Sequence, residues 1–439
     1  MQVGPLILYS GFVGALTGLV AALIASGLNL VQNVVLGGVL GYQPPGLPGE
    51  GGLAQVFTGP RLWVLALLPA PIFALASLVG TGRGLGWFLS RYRIEQRARF
   101  LEHLRSSLAA IGQLGAGSPL GREGPMATMG LWIGAAIGQR FPMRGSGRYL
   151  PFAGMAAGFA AAFHAPLAAA LLASEIVFRG LALEITALAP ALIGALAGFS
   201  VYGAIMGYGP LLEIKAGTVP LASLIFGLAV GVLCAGVGAL WLEGSYWLRL
   251  PLKKLPYPYR HLLLGLLIGV VVVVFPEALG NALPWVQIGL SPILELRFLA
   301  VLFLVQLLLL MVSGGVRGYG GYFGPALALG GLVGIIASRV TPGFAPPAEA
   351  AALAGMAALL AGIARAPFAA VVLACEIGGY GLLPVALPAA FAAYALTNSQ
   401  RMPDQVAILE DKGEAAVPLP ESAPHSEPQP DSQAAPGSP

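Results

Sequence analysis

The sequence predicts an all-α polytopic membrane protein built as two inverted-topology repeats of tilted and broken helices. Three observations lead there. First, 57% of the 439 residues are hydrophobic and only 10% are charged, with a mean hydropathy of +0.82; an ordinary soluble domain is about one quarter charged. Second, apolar runs at 6–31, 62–80, 182–205, 219–242 and 298–312 are long enough to cross or nearly cross a hydrocarbon core of about 30 Å, and about a dozen such stretches follow one another along the chain. Third, the chain repeats itself: Gly121-Arg122-Glu123-Gly124-Pro125 returns as Gly321-Tyr322-Phe323-Gly324-Pro325. A duplication of this kind in an apolar chain predicts two homologous halves with a site where they meet.

Taken in order, the run at 6–31 lacks a basic n-region and a small-residue cleavage site, so it reads as the first membrane helix rather than a signal peptide. The 62 Gly and 36 Pro favour close-packed, interrupted helices. In lipid, small residues let helices approach, and a broken backbone survives where it is buried in protein or lines a cavity. After 62–80, Arg83, Arg91, Arg93, Arg97, Arg99 and Arg105 crowd one segment; Arg249, Lys253, Lys254 and Arg260 crowd another. The positive-inside rule puts both on the cytoplasmic face. The pI of about 9.1 then reflects topology and anionic headgroups. No basic–aromatic interleaving marks a nucleic-acid partner.

Next comes Gly121–Pro125, preceded by Ser118-Pro119 and followed by the apolar stretch Met126–Ile137. Glycine lets backbone come close to a ligand, and proline in a first helical turn loses no hydrogen bond. The product is a helix N-terminus whose free N–H groups converge on one point, an anion site made of backbone. Gly320–Pro325 repeats the design before Ala326–Ala337. In inverted copies both N-termini can point to one place near the midplane. The first copy carries Glu123 where the second has Phe323. A carboxylate within a membrane segment costs about 2.5–3.5 kcal/mol on insertion scales and so usually has a function. At an anion-binding helix end it is a tethered competitor for the anion, hence a candidate gate and proton carrier; the bland alternative is electrostatic capping of its own helix.

A second shared block follows each motif. Ala153-Gly154-Met155-Ala156-Ala157, Ala165-Pro166 and Glu175-Ile176 match Ala354-Gly355-Met356-Ala357-Ala358, Ala366-Pro367 and Glu376-Ile377. His164 reads as a hydrogen-bonding residue at a helix junction. Of the four histidines, His103, His164, His261 and His425, only His164 falls in a convincing core segment. Cys234 and Cys375 read as small buried hydrophobes, and no metal spacing or cofactor motif is present. Residues 1–400 are expected to form one membrane domain, with halves of about 1–210 and 211–400. Residues 401–439 form a C-terminal segment, mostly a disordered Pro-rich tail.

These motifs resemble the CLC chloride channels and chloride/proton antiporters, of the prokaryotic type without CBS domains. The likeness rests on Gly-Arg-Glu-Gly-Pro at 121–125, Gly-Gly-Tyr-Phe-Gly-Pro at 320–325, Ala-Ala-Phe-His-Ala-Pro-Leu at 161–167 and Ala-Arg-Ala-Pro-Phe at 364–368, and it covers nearly all of 1–400. The resemblance implies a CLC-like fold and a multi-pass protein of the cell inner (plasma) membrane. It implies a homodimer with one anion pathway per subunit and a gating glutamate matched by Glu123. Backbone amides of Tyr322 and Phe323 match the family's central anion site, and those around Arg122, Glu123 and Gly124 its external site.

Three departures stand out. The family's Gly-Ser-Gly-x-Pro signature finds Gly80-Thr81-Gly82-Arg83-Gly84 at the right distance, with Thr81 offering a hydroxyl; Pro44-Pro45-Gly46-Leu47-Pro48 is a rival match, and a plain turn is the alternative for 80–84. The family's anion-coordinating tyrosine near the end of the membrane domain is replaced by Gln405, which is either an amide donor or the first polar residue of the tail. Coupled antiporters of the family carry two adjacent glutamates where this chain has Glu175 and the non-titratable Ile176. Glu175 and its repeat partner Glu376 read as a structural pair bonding exposed backbone N–H groups, with a proton path through Glu175 as the alternative.

The leading expectation is chloride transport gated by Glu123, channel-like or weakly proton-coupled, with chloride as the transported ligand, no cofactor and no metal. The alternative is a chloride/proton antiporter. A fluoride transporter comes next, because the first signature and the tyrosine have drifted. An intramembrane enzyme ranks last, since no serine or cysteine is matched to a core histidine.

Overall fold

The computed structural model describes residues 3–46, 56–57, 67–95, 97–141, 146–176, 185–215 and 217–397. Sixteen α-helices account for nearly all of it; among the described residues a short strand pairing joins Tyr42–Gln43 to Val56–Phe57. The first half comprises α1 (Val3–Gln32, continued as a π-helix through Leu40), α2 (Pro69–Val79), α3 (Leu85–Glu95), α4 (Phe100–Gly115), α5 (Glu123–Arg140), α6 (Leu150–Phe163), α7 (Pro166–Glu175) and α8 (Ile185–Met206). The second comprises α9 (Ser223–Leu252), α10 (Tyr257–Val274), α11 (Leu283–Gly289), α12 (Leu296–Val316), α13 (Phe323–Val340), α14 (Ala348–Ala364), α15 (Pro367–Gly378) and α16 (Leu383–Leu396).

Among the described residues six helices are long and apolar enough to cross a membrane: α1 with its continuation, α8, α9, α10, α12 and α13. Several of the dozen apolar stretches prove to be shorter helices, such as Ala348–Ala364 and Pro367–Gly378. The cause is local. α6 ends at His164 and α14 at Arg365, both in the left-handed region (φ 55° and 59°), and Ala165 (φ −136°, ψ 81°) and Ala366 (φ −127°, ψ 72°) then lie outside the helical region before a proline that opens the next helix. A residue before proline is driven from the helical region, and proline fits the first helical turn. The sequence Ala-Pro therefore breaks each apolar run into two tilted helices.

Packing repeats as faithfully as sequence. α6 lies against α1, α5, α7 and α8; its counterpart α14 lies against α9, α13, α15 and α16. α6 is buried on every side, as is α14 from Ala350 onward, so these alanine-rich helices form the core of their halves. The crossings are tight. A Cβ on Gly130 (α5) would stand 2.1 Å from the Gly154 carbonyl oxygen (α6), and one on Gly330 (α13) 2.2 Å from that of Gly355 (α14). Backbone meets backbone at both crossings, as small-residue packing in membranes requires.

Candidate functional site

The two motif loops touch. Gly121 N–H donates to Gly321 O at 2.9 Å, and Gly321 N–H to Gly121 O at 2.6 Å, an antiparallel bridge between halves. Immediately beyond it α5 and α13 begin. Glu123 is 2% exposed, and its carboxylate is directed to the other half: Oε1 accepts the N–H of Phe323 at 2.9 Å and of Gly324 at 3.0 Å. These are the unpaired first-turn donors of α13. Each hydrogen bond to a charged group contributes about 1.5–3 kcal/mol. Two of them offset an intramembrane carboxylate costing about 2.5–3.5 kcal/mol.

Two cavities flank this contact. One, of about 40 Å³, is lined by Gly82, Arg83, Gly84, Gly124, Tyr319 and Tyr322 among others. The second, of about 170 Å³, is lined by Ser118, Arg122, Glu123, Asn281 and Gly324 among others. The arginine-rich segment borders the first, so positive-inside topology makes it the inner cavity. Residues 82–85 and 317–320 line the inner cavity; 120–123 and 279–281 line the outer. Adding 200 to a first-half number thus moves from one cavity to the other. Contacts between the halves are reciprocal, the mark of a two-fold axis. An axis that exchanges the two cavities exchanges the two faces of the membrane, so the repeats are inverted.

The site residues expected from sequence distribute around this junction. Arg122 lines the outer cavity and donates Nη2 to Ala162 O at 3.3 Å; Gly124 and Tyr322 line the inner one. Tyr322 packs edge-on against Trp241 (5.5 Å), and Phe323 against Phe159 (5.7 Å). Gly324, a donor to Glu123, was not singled out from sequence; it is the second N–H of the same helix end. Thr81 Oγ1 is buried without a hydrogen-bond partner among the described residues, and its neighbours Gly82–Gly84 line the inner cavity. The rival Pro44–Gly46 lines the outer one. Gln405 lies outside the described residues.

Glu175 and Glu376 form a second reciprocal pair. Glu175 accepts the N–H groups of Phe368 (3.0 Å) and Ala369 (2.8 Å) at the start of α15. Glu376 accepts those of Leu167 (3.1 Å) and Ala168 (2.7 Å) at the start of α7. Each half caps a helix of the other. Ile176 is buried beside Glu175. His164 sits at the α6–α7 junction with Nδ1 against Gly209 O.

His103 and His261, read from sequence as lying outside the core, are 3% and 0% exposed. His103 sets Nδ1 against Arg99 O at 2.8 Å and packs on Phe88, whereas His261 belongs to a polar cluster that sequence does not show. His261 Nδ1 meets Gln113 Nε2 at 2.7 Å, and Gln113 Oε1 accepts the Tyr319 N–H at 2.9 Å. The Tyr319 ring stacks on His261 at 5.4 Å, and its hydroxyl accepts the Gly82 N–H at 2.9 Å. Gln113 and Gly82 belong to the first half, His261 and Tyr319 to the second. This network ties the halves at the inner cavity. The contacts of Tyr319 with Gln113 and Gly82 span 206 and 237 positions, so no local pattern could announce them. Among the described residues no group of histidine, cysteine and acidic side chains has the geometry of a metal site.

Residues 89–398 match the family described as voltage gated chloride channel. The voltage-gated ClC-type chloride channel ClcB of Salmonella typhimurium is 29% identical over 424 residues, spanning 90% of this chain and 96% of the relative. ClcB of Citrobacter koseri is 32% identical over 308 residues, 68% and 73% of the two chains. Among solved structures, a slow cyanobacterial Cl⁻/H⁺ antiporter superposes with a TM-score of 0.78 at 23% identity, covering 93% of this chain and 98% of the other. A CLC-type fluoride/proton antiporter superposes with a TM-score of 0.74 at 18% identity, covering 91% and 96%. At those identities the superpositions show the fold. The chain is an integral membrane protein of the voltage-gated chloride channel (CLC) family, a transporter of anions and not an enzyme.

Proposed function

We propose that this chain carries chloride across the cell inner membrane along a path between the two cavities, with Glu123 as its gate. The observation that carries the reading is the Glu123 carboxylate on the Phe323 and Gly324 N–H groups. An anionic side chain occupies the donors that an anion in transit needs. Protonation weakens its hold, or the side chain swings away, and chloride then takes the donors. Peptide dipoles bind an anion firmly enough to admit it and weakly enough to release it. Backbone at Arg122, Gly124, Tyr322 and Phe323, the Thr81 hydroxyl and the Gln405 amide are the proposed contacts along the route. Residues 1–400 act as one membrane domain, in a homodimer with one pathway per subunit.

Transport is channel-like or weakly proton-coupled, because Ile176 offers no acid beside Glu175. Chloride/proton exchange is the second reading, and it is favoured by the acid at the crossing point. A chloride gradient imposed on proteoliposomes tests both. Passive transport gives chloride flux without uphill proton movement; sustained uphill proton movement establishes exchange instead. With Glu123→Gln, halide flux persists or increases and loses its dependence on pH. Loss of halide flux in that variant, with the protein still folded, refutes the gate.

A further inference from the structure

The axis relating the halves carries Gly80-Thr81, beside the inner cavity, onto Gly280-Asn281, which borders the outer one. Asn281 is held in a defined orientation. Its Oδ1 accepts the Leu283 N–H at 2.9 Å, and since only the carbonyl end of an amide accepts, the NH₂ group is the other end. That end, Nδ2, lies 3.1 Å from where a Cβ on Gly324 would stand; Glu123 Oε2 lies 3.1 Å from the same point. The loop beneath is anchored. Gln306, 1% exposed, donates Nε2 to Ala278 O (3.0 Å) and Gly280 O (3.1 Å), and Gly280 N–H donates to Gly117 O at 3.1 Å. A fixed N–H donor therefore stands at the outer cavity beside the carboxylate and the helix end it covers.

We propose that Asn281 Nδ2 is an anion-binding donor on the outer side, which holds a monovalent halide as the Glu123 carboxylate leaves the α13 N-terminus. A neutral amide supplies a hydrogen bond without the fixed charge that would trap the ion. The assignment rests on the Glu123 reading, and the test separates the two. Chloride binding is measured by calorimetry on the purified full chain in a Glu123→Gln background, where the competing charge is gone, and flux is measured in liposomes. Adding Asn281→Asp keeps the acceptor for Leu283 N–H but replaces the donor with a carboxylate; the dissociation constant rises about tenfold or more. Asn281→Ala, which removes donor and acceptor together, raises it severalfold. If Asn281 only caps Leu283, Asn281→Ala, which introduces no charge, binds chloride like its parent, and that result overturns the assignment while leaving the gate intact. If Glu123→Gln alone neither binds nor passes chloride, the gate falls and the Asn281 role falls with it.

Discussion

Two missing side chains make room for the Glu123 carboxylate. A Cβ on Gly121 would lie 2.0 Å from its Oε2, and one on Gly321 2.0 Å from its Oε1. The paired glycines of the motifs therefore do more than bend the chain; they leave the volume that the carboxyl group fills. Gly321→Ala is expected to push the carboxylate off the Phe323 and Gly324 N–H groups while leaving the helices in place. Chloride flux in liposomes then rises, and its pH dependence flattens toward that of Glu123→Gln. Unchanged flux and pH dependence in a folded Gly321→Ala protein would mean that the carboxylate position does not govern passage. At this scale much was legible in sequence, because Gly-x-Glu-Gly-Pro specifies both a helix start and an acid on it. The acceptor's true partners were not. Glu123 bonds residues 200 and 201 positions away, a pairing that only the folded halves bring about.

Among the elements, α7 and α15 pack against each other across the two halves, and each is capped by a carboxylate from the end of the other, Glu175 and Glu376. The caps act at helix N-termini, where first-turn N–H groups and the macrodipole favour negative charge. Glu175→Gln and Glu376→Gln each keep one acceptor oxygen and lose the charge, and each is expected to destabilise the protein by about 1–3 kcal/mol. Thermal unfolding in detergent should show both melting earlier, while chloride flux per folded protein stays within about twofold of the parent. A Glu175→Gln protein of normal stability that loses proton-dependent behaviour would assign Glu175 to a proton path instead. The sequence exposed this pair through Glu175-Ile176 and Glu376-Ile377, since duplicated acids within apolar helices stand out. It concealed His261 and Gln113, because one histidine near a basic loop looks like surface. The apolar breaks at Ala165-Pro166 and Ala366-Pro367 were legible in kind, and His164 was legible as a junction residue, yet the left-handed backbone at His164 and Arg365 was not, since neither is glycine.

For the whole molecule, inversion makes the two cavities relatives but not equals. The inner one is bordered by Arg83 and Arg317, the outer by Arg122 with Ser118 and Asn281. Arg83 stands 3.8 Å above the Trp87 ring and 3.2 Å from Glu102, which also meets Arg91 at 3.3 Å. The inner approach thus carries guanidinium groups fixed by stacking and by ion pairing to two carboxylates, Glu102 and Glu95, with Arg93, Arg97, Arg99 and Arg105 in the same segment. A mouth of one sign concentrates counter-ions, and salt screens that attraction over about 8–10 Å at ordinary ionic strength. Chloride entering from the arginine-rich side should therefore half-saturate transport at lower concentration than chloride entering from the other side. Adding an impermeant salt should narrow the difference. Arg83→Gln should narrow it too, by raising the half-saturating concentration on the inner side roughly twofold to threefold, in line with the loss of one charge among several. Vesicles sorted by orientation provide the measurement. Equal half-saturation from both sides, or an Arg83→Gln effect confined to the outer side, would show that the cationic inner mouth plays no part in gathering anions.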